Sequence, residues 1–70
     1  MPKFYSSAQI IKVLEKRGFI FISQKGSHAK YRKLGSSVLT AIVPAARKEI
    51  PRGTFRSILR QAKLAEKDFE

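Results

Sequence analysis

Between Phe19 and Pro44, two short breaks divide an apolar and alternating stretch into three runs: "QKGS" (24–27) and "LGSS" (34–37). Short runs rich in aromatic and β-branched residues, separated by glycine turns, make neighbouring antiparallel strands. "FIFIS" is the first strand, "HAKYRK" the second and "VLTAIVP" the third, closed by Pro44. The second run alternates: His28, Lys30 and Arg32 share one face, Ala29 and Tyr31 the other. Gly26 is free to take a positive φ at the first turn. A one-residue shift there would exchange the two faces, so the side of the sheet that His28 joins stays open.

A helical pattern stands on either side of this meander. Ser6 is an N-cap with Gln9 three residues on, the spacing of a capping box, and Tyr5 and Ile10 are placed for a hydrophobic staple. Ile10, Val13, Leu14 and Arg17 follow a helical period, and Ile11 widens the apolar stripe. Gly18 stands at the C-terminal cap, and Lys16 and Arg17 suit the negative end of the helix dipole. After a connector, "PRGTFRSILRQAKL" is a second helix with Pro51 in its first turn. Phe55, Ile58, Leu59 and Ala62 fall at i, i+3, i+4 and i+7 on its apolar face. The order is α-β-β-β-α. It predicts a two-layer α+β domain with two helices on one face of a three-stranded antiparallel sheet, the element order of double-stranded-RNA-binding domains. Residues 1–70 are expected to form one domain, without repeat or linker. A chain this short buries only about 60% of its unfolded surface, so the core is thin.

Charge narrows the choice of partner. The chain carries 15 Lys and Arg against 5 Asp and Glu, a net +10. Three of the acids, Glu66, Asp68 and Glu70, lie in the last five residues, so residues 1–65 hold fourteen basic and two acidic groups. Such a field favours a polyanion. Nucleic acid leads, with an anionic membrane surface or a merely solubilising charge as alternatives. Arg52, Arg56, Arg60 and Lys63 recur opposite the apolar face of the second helix, and no acid on that helix offsets them. Stacked like charges repel unless an anion lies over them. They and Arg32 are candidate RNA-phosphate contacts, with an acidic protein as the other possible anion. No apolar run reaches the length of a membrane span, and "MPKFYSS" lacks the apolar segment of a signal peptide. With no cysteine in the chain, the expected location is the cytoplasm, without a membrane.

Few chemistries fit these residues. A catalytic metal takes about three protein ligands, but the chain has one His, no Cys and, outside the tail, only Glu15 and Glu49. A serine triad needs a carboxylate to orient its histidine, and none lies near His28 in sequence. No glycine-rich nucleotide loop occurs, so neither a metal nor a small-molecule cofactor is expected. RNA cleavage by its own 2′-hydroxyl needs less, because the substrate supplies the nucleophile. In "QKGSHAKYR", Gly26 lets backbone approach a phosphate and Ser27 adds a hydroxyl. His28 can move a proton near neutral pH, and Lys25 and Lys30 can stabilise the developing charge. The plain alternative is that His28 is a surface residue beside a turn.

The chain resembles the HicA family of bacterial type II toxins, which are small mRNA interferases. The likeness runs through "RGF" (17–19), "QKGSHAKY" (24–31), "VP" (43–44), "KEIPRGTFRSILRQAKL" (48–64) and "EKDF" (66–69). It implies a double-stranded-RNA-binding-like fold, ribosome-independent cleavage of mRNA and neutralisation by a HicB antitoxin. By match to the motif, His28 is the catalytic histidine and Gly26 belongs to the active loop. Many members have a second histidine shortly after the strand-ending proline. Here Ala45 and Ala46 stand in that stretch, which leaves His28 with a lysine, an arginine or water as counterpart. The other function compatible with the pattern is a non-catalytic RNA-binding module of the same fold. "FIFI" and "VLTAIV" are apolar on both alternating faces, more than two helices on one face can cover. An acidic antitoxin is expected over the remainder.

Overall fold

A computed structural model of the chain describes residues 4–70. Residues 1–3, which belong to the start read above for a leader and to the 1–70 domain, lie outside that range. Helix α1 spans Ser7–Lys16 and begins as the capping box requires. The Ser6 hydroxyl accepts the Gln9 N–H at 3.1 Å, and the Gln9 side chain accepts the Ser6 N–H at 2.9 Å. Ile10 and Leu14 are fully buried, with Ile11 and Val13 packed at the margin. Arg17, next in the period, is exposed and pairs with Asp68 at 2.9 Å. Gly18, at φ +95°, closes the helix. Its N–H reaches the Glu15 carbonyl, and the Phe19 N–H reaches that of Leu14.

The three strands are β1 (Ile20–Lys25), β2 (His28–Lys33) and β3 (Leu39–Pro44), antiparallel in the order β1-β2-β3. The first turn is tighter than "QKGS" suggested. Lys25 pairs with His28, and Gly26–Ser27 alone make the loop. Gly26 has φ +59° and Ser27 is not in the positive region, the φ pattern of a II′ hairpin turn. Gln24 steadies it, donating from its side chain to the Gly26 carbonyl at 3.1 Å. The β1–β2 register slips by one residue between Phe21 and Ser23, a bulge at Ile22.

Both helices lie on one face of the sheet. Ala29 and Tyr31 of β2 and Ala41 and Val43 of β3 are buried against them. Helix α2, Arg52–Ala62, contributes Phe55, Ile58 and Ala62 to this core, with Leu59 beside it. Burying side chains of the size of Phe55, Ile10, Leu14 and Ile58 stabilises by about 1.5–3 kcal/mol each. Strand β1 lies past this cover. Every one of its residues is exposed, with Ile20 at 55% and Phe21 at 54%. A short 3₁₀ turn, Glu66–Phe69, folds the tail back. It sets Phe69 5.0 Å from the Phe55 ring and 5.6 Å from that of Tyr5. No helix among the described residues is long and apolar enough to cross a membrane.

Candidate active site

His28 opens β2 on the face away from the core, which decides the side that the alternation left open. Across the ladder it stands between Lys25 of β1 and Pro44 of β3. Lys30 and Arg32 follow on the same face, in register with Ser23 and Ile42, and with Ile20 and Thr40. The Arg32 Nε is shielded from solvent without a hydrogen-bond partner in the structure. A Cβ added to Gly26 would meet nothing within 4 Å. What the position demands is the left-handed backbone, not space. Lys25 stands across the ladder from His28, Gly26 and Ser27 form the turn before it, and Lys30 follows two residues on along the same face.

At the open edge of β3, helix α2 packs alongside the sheet and walls a groove beside His28. A cavity of about 370 Å³ has His28, Ile42 and Pro44 on its sheet side. Thr54, Ser57 and Gln61 face it from α2, one flank of the helix at i, i+3 and i+7. Gln61 also seals the open edge of β3, accepting the Ile42 N–H at 2.9 Å. Sequence reasoning missed this polar row. Its helical spacing inside "GTFRSILRQA" was the available signal, masked by the arginines interleaved with it. Arg47, also missed, completes the lining together with Ser27. Among the described residues no carboxylate lines the groove, so none of them orients His28 as the acid of a serine triad does.

The segment that carries Arg47 is held from both sides. Buried Ser7 donates its hydroxyl to the Pro44 carbonyl and accepts the Arg47 N–H at 2.9 Å. The Ser7 N–H donates to the Arg47 carbonyl at 2.9 Å, satisfying one of the orphan donors of the α1 N-terminus. On the other side the Ala45 N–H donates to the Ser27 carbonyl at 2.6 Å. Between these anchors Ala46 adopts φ +57°, a left-handed conformation that costs a side-chain-bearing residue roughly 1–2 kcal/mol.

The basic stripe of α2 is less uniform than its spacing suggested. Arg56 and Arg60 are exposed, and Arg60 reaches the Ser57 hydroxyl at 3.4 Å on the margin of the groove. Arg52 is engaged: it makes a 3.0 Å ion pair with Glu66 and lies 5.5 Å from the centre of the Phe55 ring. The offsetting acid comes from the folded-back tail rather than from the helix. Lys63 lies past the helix end at φ +55°, off the helical path of the other three. None of the four lines the groove.

Chemically, the described lining of the groove combines an imidazole with a guanidinium, three hydroxyls and an amide. The model of a protein family described as HicA toxin of bacterial toxin-antitoxin matches residues 7–64. That span runs from the first residue of α1 to beyond α2 and includes every residue lining the groove. Among individual curated proteins, none matches the chain.

Proposed function

The chain belongs to the HicA family of toxins from bacterial toxin–antitoxin systems, and on that premise we propose that it is a ribosome-independent mRNA endoribonuclease with His28 as its catalytic residue. The observation that carries this reading is the position of His28, exposed at the start of β2, in a groove with polar walls that Arg47 also lines, and across the ladder from Lys25. The substrate's 2′-hydroxyl attacks the neighbouring phosphorus. The bond to the 5′-oxygen breaks, leaving a 2′,3′-cyclic phosphate and a 5′-hydroxyl. His28 moves the proton, and Lys25 and Lys30 offset the charge that grows on the phosphate oxygens. The scheme uses no metal. Its proton transfer falls to an imidazole, a group that can both accept and return a proton.

The toxin acts on cytoplasmic mRNA and is restrained by a HicB-type antitoxin. Charge and exposed surface support an acidic partner that covers apolar and basic surface together. Ile20, Phe21 and Ile22 of β1 and Val38 before β3 are exposed large apolar residues on a chain of net +10.

Incubation of the purified protein with single-stranded RNA tests the reading. His28→Ala should fold, bind RNA and lose roughly two to four orders of magnitude in cleavage rate, the usual worth of one general acid–base group. EDTA should leave the wild type active, and an all-DNA strand should be bound but not cut. Undiminished cleavage by His28→Ala, or cutting of DNA at a similar rate, would overturn the mechanism. A wild type that binds RNA and cuts none would leave the non-catalytic RNA-binding module.

A further inference from the structure

Ser7 is the buried polar side chain of the described core, 2% exposed. Both hydrogen bonds of its hydroxyl, and that of its backbone N–H, go to residues 44 and 47. A serine that served α1 alone would bond within its own first turn, as Ser6 does. Instead, Ser7 fixes a distant segment, and Ser27, next to His28, fixes the same segment from the other side. The side chain that emerges from the clamped segment is Arg47, the only permanently charged group among the described residues lining the His28 groove. A solubilising surface arginine needs neither a buried clamp nor a left-handed alanine before it.

We propose that Arg47 holds the reacting phosphate beside His28 and that Ser7 is the positioning residue that sets it there. The proposal rests on the reading of the groove as an RNA-cleaving site. A guanidinium presents a planar fork that matches two phosphate oxygens. Cleavage through the 2′-hydroxyl builds negative charge on those oxygens, where a fixed cation lowers the barrier most.

The test uses the full chain, a single-stranded RNA oligonucleotide for cleavage and its all-DNA counterpart for binding across a salt series. Arg47→Ala should slow single-turnover cleavage on the order of 100-fold. It should also reduce the slope of log affinity against log salt by about 0.7, one single-strand phosphate contact. Arg47→Lys should restore the slope but only part of the rate, because an ammonium lacks the fork. Ser7→Ala should slow cleavage in the wild-type background and add nothing in the Arg47→Ala background. A serine that only stabilised the fold would lower both equally, which would overturn its positioning role. An unchanged rate and slope in Arg47→Ala would overturn the phosphate contact. If the wild type cuts no RNA, the enzymatic reading fails by itself. The salt slope on DNA still decides whether Arg47 holds a phosphate.

Discussion

At the scale of single residues, the two faces of β2 carry different chemistry one step apart. His28 stays in the groove, while Tyr31 turns its ring into the core and meets Phe21 edge-on at 5.7 Å. Burial, aided by the negative charge of Glu15, raises the Tyr31 hydroxyl above its ordinary pKa of 10.0. The folded state therefore holds this proton more tightly than the unfolded chain. The associated stability is complete below about pH 10 and is lost as pH climbs through the raised value. Tyr31→Phe removes the titrating group. Urea midpoints for wild type and variant at about pH 8 and pH 11 should show the wild type losing ground to Tyr31→Phe at the higher pH. A constant gap would mean that the hydroxyl is as free in the fold as in the open chain.

At the scale of elements, the two helices end with the same closure built from different residues. In each, one N–H reaches back three residues and the next reaches back five: Gly18 and Phe19 in α1, Lys63 and Leu64 in α2. The geometry requires a left-handed residue at the first of these positions. Gly18 adopts it without a Cβ clash, whereas Lys63 does so with a side chain attached. Lys63→Gly should therefore stabilise the protein by about 1 kcal/mol. For a domain of this size that is a rise in Tm of roughly 4–8 °C. A thermal melt decides it, and an unchanged or lower Tm would show that this closure carries no strain.

Over the whole molecule, the fold sorts cations that are evenly spaced in sequence into those spent on structure and those left for a partner. Arg17 and Arg52 pair with Asp68 and Glu66 of the returning tail. Arg56 and Arg60 stay exposed on α2. Neutralising both, as Arg56→Gln with Arg60→Gln, should lower the salt slope of single-strand binding by about 1.4, two phosphate contacts. Arg52→Gln should leave the slope nearly unchanged, since that guanidinium is occupied within the fold. A salt titration of the three proteins checks this. A fall for Arg52→Gln of about half that of the double variant, one phosphate contact, would show that the pairing with Glu66 opens on binding.

Local rules determined much of this protein before any tertiary contact. The capping box of Ser6 and Gln9, the glycines at 18 and 26, the alternation of "HAKYRK" and the apolar face of α2 each depend on dihedral preference and periodicity within a few residues. Element order and the assembly of Lys25, Gly26, Ser27 and His28 at one turn followed from them. The remainder joins residues far apart in the chain, and no local period reports on such pairs. Register decided that His28 faces the groove, since a slip of one residue turns every side chain of a strand over. Packing of the tail against Tyr5 and Phe55 brought Glu66 to Arg52 and withdrew it from the basic stripe. Docking of α2 along β3 brought Thr54, Ser57 and Gln61 to the groove. Ser7 reads in sequence as the residue after a helix cap. It became the clamp for Arg47 only because the fold laid residues 44–47 across the start of α1, where a buried hydroxyl must find its partners in whatever backbone passes by.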